Sequence, residues 1–174
     1  MLPTEQLKNE HQAIKLMLEI LEAVSGKIDA GERVNEDDLK DMVEFISVFA
    51  DKCHHGKEED LLFPAMEEAG IPKEDGPIGV MIDEHNLGRS YVKAMREAKD
   101  QKDFAAAAKN YVSLLTQHID KEDNILYQIA DMHLSKEKQN ELLDQFEKVE
   151  KEKIGHGKHE EFHQMLEKLK NIYS

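Results

Sequence analysis

Apolar residues recur at intervals of three and four along almost the whole 174-residue chain, and strand-like alternation of apolar and polar residues is absent. Glycine and proline lie between the periodic stretches, above all in residues 70–77. The chain is therefore predicted to be all-α. The pattern predicts helices over about 4–26, 35–68, 78–100 and 104–133, a fifth from Ser135 to a break at Gly155-His156-Gly157, and a last one over about 158–172.

Residues that favour helix starts support three of these boundaries. Thr4 is a candidate N-cap of the first helix, and Ser135 of the fifth. Asn35 precedes three acidic residues, and negative charge in the first turn interacts favourably with the helix dipole. We therefore expect the second helix to begin here and to run to about Glu68.

Four long helices joined by short connections favour an antiparallel, up-down four-helix bundle, because short loops force neighbouring helices to reverse direction. The bundle is predicted over about residues 4–133, with additional C-terminal helices over about 135–172. A hydrophobic content of 40% in 174 residues is sufficient for a substantial core. We expect a single domain over residues 1–174.

A ten-residue phrase occurs twice in the chain. His54-His-Gly-Lys-Glu58-Glu-Asp-Leu-Leu-Phe63 returns as His118-Ile-Asp-Lys-Glu122-Asp-Asn-Ile-Leu-Tyr127, and Glu10-His11 is echoed by Glu84-His85. A His and a Glu four residues apart lie on one helix face, about 5–6 Å apart at Cβ, close enough to share a metal ion. In an antiparallel bundle the repeated residues His11, His54, Glu58, His85, His118 and Glu122 also lie at one height. The repeat thus predicts one set of metal ligands divided between two similar halves.

The repeated residues interrupt apolar stripes that should face the core. On the second helix the stripe includes Ala50, and on the fourth it continues to Ile125 and Ile129. An inward carboxylate without a partner costs several kcal/mol. A network of paired His and Glu would explain one such pair, but a repeated set is better explained by a cation of charge two or more. The candidate metal ligands are His11, His54, Glu58, His85, His118 and Glu122.

Neighbouring residues offer alternatives to this ligand set. His55 and Glu59 have the same spacing one residue on, but the repeat favours the preceding pair, so we assign both to the surroundings of the ligands or to the surface. Asp123 could replace the glutamate before it, and the repeat again favours the glutamate. Cys53 is expected to be a small buried residue rather than a ligand.

The charge and the cysteine content limit the possible partners and compartments. A formal net charge of −14 would repel nucleic acid and anionic membranes, so we expect neither as a partner. The N-terminal residues lack the features of a signal peptide, and no stretch approaches the ~20 apolar residues that span a bilayer. A lone cysteine suits a reducing compartment. We expect a cytoplasmic protein.

At these motifs the chain resembles the hemerythrin-like, or HHE cation-binding, family over most of its length. The resemblance implies a four-helix bundle that holds two non-haem iron ions with an oxo or hydroxo bridge, although Mn or Zn could use the same ligands. It implies that Glu58 and Glu122 bridge the metals and that the imidazoles are terminal ligands. The motifs are Glu10-His11-Gln, His54-His-Gly-Lys-Glu58-Glu-Asp-Leu-Leu-Phe-Pro64, Glu84-His85-Asn-Leu-Gly-Arg89 and His118-Ile-Asp-Lys-Glu122.

The sequence departs from the oxygen-carrying hemerythrins on the third helix. Their pattern there resembles His-x-x-x-His, whereas here His85 is followed four residues later by Arg89, so one terminal imidazole is missing. Both metals would then have an open position. His159 could supply the missing group, with His163 beside it, but a surface helix whose histidines are solvated or ion-paired is the favoured interpretation.

By this resemblance we expect a di-iron protein that binds or senses a small diatomic ligand, dioxygen or nitric oxide. The same ligand set would serve a di-iron protein that repairs nitrosative damage or reduces peroxide, or an iron store or donor for iron–sulfur clusters. Whether the chain is an enzyme stays open, and a protein module that binds no metal is the structural alternative. The sequence identifies no protein partner.

Overall fold

The computed structural model describes residues 1–155 and 157–173, so His156 in the predicted break lies outside the described residues. The described residues form helices without strands, as predicted. None of these helices combines the length and the apolar character needed to cross a membrane. The six helices are α1 Pro3–Asp29, α2 over 36–68, α3 Pro77–Arg96, α4 over 101–133, α5 Lys136–Lys153 and α6 Lys158–Tyr173.

Two of the three predicted helix starts are confirmed. The Asn35 side chain accepts hydrogen bonds from the backbone N–H groups of residues 37 and 38, and the Ser135 hydroxyl accepts one from residue 138. The prediction for Thr4 is wrong. Helix α1 begins at Pro3, which suits a first helical position, and the Thr4 hydroxyl donates instead to Asp131 at 2.6 Å. Asp100 caps α4, which begins three residues earlier than expected.

Helices α2 and α4 are continuous but contain π-helical turns next to the repeated motif. These turns span Ile46–His55 and Glu58–Leu62 in α2, and Glu122–Leu126 in α4. A π-helical turn contains more residues than an α-helical turn, because its hydrogen bonds join residues five apart. Each such turn therefore changes which of the following residues face the core. The predicted inward position of Ile125 is wrong for this reason: its side chain is 54% exposed, and the next two residues are buried instead.

The core consists of two apolar clusters with a polar layer between them. On α1, Leu7 belongs to one cluster and Ile14 to the other, and His11 lies between them. The same order occurs on the other three bundle helices, where the buried His and Glu separate the two apolar clusters. The fold therefore places the candidate ligands at one level across the bundle.

The C-terminal helices pack on the bundle rather than apart from it. Helix α5 lies along α1 and α2, and α6 packs mainly on α1. Phe146 of α5 is fully buried in the same apolar cluster as Leu7 and Phe63. Phe162 of α6 is buried in the other cluster, against Phe45.

We expect Phe146→Ala to lower the free energy of unfolding by about 3–5 kcal/mol, because it removes a buried ring and leaves a cavity. Urea unfolding followed by circular dichroism measures this change. Lys148→Ala, at an exposed position of the same helix, is the control and should stay within about 0.5 kcal/mol of wild type. A Phe146→Ala loss below 1 kcal/mol would mean that α5 does not contribute to the bundle core.

Candidate metal centre

The six candidate ligands converge in the polar layer, and each side chain is no more than 2% exposed. Helices α1 and α3 each contribute one imidazole. Helices α2 and α4 each contribute a His and a Glu four residues apart on the inner face. The repeat in the sequence thus becomes a near two-fold arrangement in space, made of His11, His54, Glu58, His85, His118 and Glu122.

The four imidazoles form two pairs. His11 Nε2 lies 3.0 Å from His54 Nε2, and His85 Nε2 lies 3.1 Å from His118 Nε2. In each pair, the two nitrogens are close enough to bind one common ion. The repeat therefore produces two adjacent positions, one between α1 and α2 and the other between α3 and α4.

Each carboxylate faces one imidazole from each pair. Glu122 Oε1 lies 3.3 Å from His11 Nε2 and 3.1 Å from His118 Nε2. Glu58 Oε1 lies 3.6 Å from His54 Nε2 and 3.4 Å from His85 Nε2. Either glutamate can therefore contact ions at both positions.

A second carboxylate stands behind every imidazole and fixes its orientation. The Nδ1 atoms lie 2.7 to 2.9 Å from these carboxylate oxygens, so Nδ1–H donates and Nε2 keeps its lone pair towards the centre when the ring is neutral. The pairs are His11 with Asp123, His54 with Glu10, His85 with Glu59, and His118 with Glu84.

Lysines extend this arrangement outward in the same repeated manner. Lys57 Nζ donates to Glu10 at 2.6 Å, and Lys121 donates to Glu84. Lys57 is fully buried and also donates to Glu150 of α5 at 2.6 Å, whereas Lys121 is partly exposed. The C-terminal extension therefore contacts the layer that surrounds one imidazole pair.

The donor set fits a cation. Glu58 Oε1 and both carboxylate oxygens of Glu122 are buried without a hydrogen-bond partner. Four neutral imidazoles directed by their outer carboxylates would bring four lone pairs and two negative charges together, which is strongly unfavourable without a positive charge between them. Two groups of side chains in this layer have atoms close enough to hold an ion, namely His11, His54 and Glu122, and His55, Glu58, His85 and His118.

Without an ion, protons supply the positive charge. Burial alone would lower the pKa of His11, but the hydrogen bond to Asp123 and the nearby carboxylate of Glu122 raise it to about 9. The pKa of His85 is likewise raised to about 9, and that of His118 to about 10, by the carboxylates that face them. His54 differs, because burial and the charge of His11 hold its pKa well below 6.5.

Two residues distinguish one half of the centre from the other. The Tyr127 hydroxyl donates to Glu58 Oε2 at 3.0 Å and lies 3.5 Å from His11 Nε2, whereas the corresponding residue of the first motif is Phe63. His55 stacks on His85 with ring centroids 3.9 Å apart, and its counterpart is Ile119. His55 is buried, so its assignment to the surface is excluded.

His159 lies away from the imidazole cluster. Its Nε2 is 4.0 Å from Glu150, its ring packs near Phe49, and it groups with Cys53 and Glu150 rather than with the candidate ligands. His163 is exposed on α6. The position of His163 agrees with the favoured interpretation, whereas the Nε2 atom of His159 is buried and has no hydrogen-bond partner among the described residues. Cys53 is buried, as expected.

The roles of the outer carboxylates and of Tyr127 were not predicted from the sequence. Glu10 and Glu84 were visible in the repeat, but each orients the imidazole of the next helix rather than its neighbour in sequence. The paired Lys57-Glu58 and Lys121-Glu122 dipeptides were also a visible signal.

The pKa shifts predict how the stability of the metal-free protein depends on pH. Because the folded pKa values of His11, His85 and His118 lie above the unfolded value of 6.5, their stabilisation is fully present below pH 6.5 and is lost as pH rises through 9 to 10. In the presence of a chelator we expect the free energy of unfolding to fall by about 3 kcal/mol or more over this range. Urea titrations at a series of pH values measure it, and a flat profile would contradict it.

Comparison with known proteins agrees with this geometry. Searches among curated proteins and among solved structures give no match. Residues 2–130 match a protein family that is described as the hemerythrin HHE cation binding domain. This segment covers more than half of the chain and contains all six converging residues. The chain therefore belongs to the hemerythrin HHE cation-binding family.

Proposed function

We propose that this protein is a non-haem di-iron protein that binds or senses a small diatomic ligand, dioxygen or nitric oxide. The observation that carries the proposal is that Glu58 and Glu122 each face one imidazole from each pair. Carboxylates in this position suit two ions held side by side. A single ion would leave one imidazole pair without a partner.

In this proposal His11 and His54 hold one ion, His85 and His118 hold the other, and the two glutamates bridge them. Iron is our proposal for the metal, because the family description names only a cation and the same imidazole and carboxylate ligands also accept manganese or zinc. When bound, a di-iron centre supplies open coordination positions and electrons for a diatomic ligand. We place this activity in the cytoplasm, without nucleic acid or membrane as a partner.

The residues around the centre contribute selectivity. The apolar clusters shield the polar layer along the bundle axis, and a pocket lined in part by His55, His85 and Arg89 connects the layer with the surface. Burial and the nearby carboxylates raise the pKa of Tyr127 well above 10, so its hydroxyl keeps its proton. That hydroxyl lies beside the His11 and His54 pair, and it can donate its one hydrogen bond to a ligand there if it turns away from Glu58 Oε2.

Metal analysis tests the centre itself. We expect about two iron ions per chain after anaerobic reconstitution with ferrous iron, and a loss of at least half of this metal in Glu122→Gln, because the neutral amide cannot balance the charge of two ions. Elemental analysis and chelator competition measure both values. His133→Gln, an exposed histidine, is the control. No metal in the reconstituted wild type would reject the proposal.

Gas binding tests the ligand. We expect the diferrous protein to change its visible spectrum on exposure to dioxygen or nitric oxide. Tyr127→Phe should retain the metal but release the ligand about fivefold faster, because one hydrogen bond contributes roughly 1 kcal/mol. Stopped-flow spectroscopy measures the release. Tyr91→Phe, at a half-buried position of α3 that is not part of the polar layer, is the matched control.

An iron-loaded wild type whose spectrum responds to neither gas would contradict ligand binding while leaving the metal centre intact. Repeated turnover with peroxide and a reductant, or iron transfer to an apo iron–sulfur protein, would favour the repair, peroxide-reducing or iron-donor alternatives.

A further inference from the structure

A second cluster of metal-binding side chains lies outside the polar layer, where the C-terminal helices meet the bundle. It consists of Cys53 of α2, Glu150 in the last turn of α5 and His159 in the first turn of α6. One ligand atom from each residue, a sulfur, an oxygen or a nitrogen, lies within 4.8 Å of the other two. The fold therefore brings one thiol, one carboxylate and one imidazole from three helices to one point.

The imidazole of this cluster is held in place but lacks a partner. The His159 ring lies near Phe49, with ring centroids 5.5 Å apart. Although the ring is partly exposed, its Nε2 atom is buried and has no hydrogen-bond partner among the described residues. Glu150 Oε1, at 4.0 Å, is too distant for a hydrogen bond. A buried polar nitrogen without a partner is unfavourable, and a bound ion would satisfy it.

The thiol and the carboxylate complete a set of three different donors. Cys53 is 1% exposed. Lys57 and Gln6 both donate to Oε1 of Glu150, at 2.6 and 3.1 Å, so these bonds leave Oε2 for an ion. A thiolate and a carboxylate together neutralise a divalent cation, and Lys57 keeps its bond to Glu10. The positive charge of Lys57 therefore stays balanced when an ion binds.

An acidic pocket gives a cation access to the cluster. The pocket has a volume of about 670 Å³, and Glu150 and His159 form part of its lining. Its lining also contains three further carboxylates, those of Glu10, Asp144 and Glu147, but neither lysine nor arginine among the described residues. A cleft that carries charge of one sign raises the local concentration of ions of the opposite sign. The pocket therefore favours the entry of a metal cation.

We infer that Cys53, Glu150 and His159 form a separate binding site for one Zn²⁺ ion, which joins α5 and α6 to α2. Zinc accepts sulfur, nitrogen and oxygen ligands in tetrahedral geometry, and three protein ligands leave its fourth position to water. The ion binds the thiolate, so the proton of the Cys53 thiol is released on binding. The site differs in kind from the polar layer, whose six candidate ligands include no sulfur.

Cobalt in place of zinc tests the inference without reference to activity. A thiolate bound to Co²⁺ gives a strong charge-transfer absorption in the near ultraviolet, which imidazole and carboxylate ligands do not give. We expect this absorption in the wild type and its loss on addition of excess Zn²⁺, which binds more tightly than Co²⁺. Cys53→Ala should lack the absorption, and His159→Gln should bind the absorbing cobalt ion at least about tenfold more weakly.

His163→Gln, at an exposed position of the same helix, is the matched control and should keep both the absorption and the affinity. Circular dichroism verifies the helix content of each variant. A wild type without the charge-transfer absorption, with or without bound cobalt, would overturn the inference. An absorption that persists in Cys53→Ala would do the same, as would an unchanged affinity in His159→Gln, which decides the matter if Cys53→Ala fails to fold.

Discussion

Two buried carboxylates that face four imidazole lone pairs are the constraint on which this structure depends. Glu58 and Glu122 are fully buried, and three of their oxygens have no hydrogen-bond partner. Such a cluster is stable only when positive charge is present among the acceptors, either as metal ions or as protons on the imidazoles. The raised pKa values of His11 and His118 show that protons on these imidazoles supply the positive charge when no metal is bound.

The rest of the bundle is arranged so that this cluster can exist. Apolar clusters lie on both sides of it along the bundle axis, and an outer carboxylate fixes each of the four imidazoles. The outer carboxylates also link the helices: Asp123 of α4 holds His11 of α1, and Glu59 of α2 holds His85 of α3. The orientation of each ligand is therefore a property of the assembled bundle.

Much of this arrangement follows from the sequence. Periodicity predicted the all-α fold and the extent of α2, and the repeated motif brought together six residues that meet in space. The π-helical turns were not predictable, because no residue type marks them and their effect appears only as a change of register. That change exposes Ile125, buries Leu126 and Tyr127, and turns His55 inward beside His54. The roles of the outer carboxylates were not predicted because each carboxylate contacts an imidazole of another helix.

The two lysines of the repeat differ in their exposure to solvent, and this difference affects the electric field at the centre. Lys57 lies beneath α5 and is fully buried, while Lys121 is 39% exposed at the matching place on α4. Dissolved ions screen a charge at the surface much more than one inside the protein. Changes in ionic strength therefore alter the field at the His118 side and leave the field at the His54 side almost constant. Helix α5 in this way insulates one half of a nearly symmetric site from the composition of the surrounding solution.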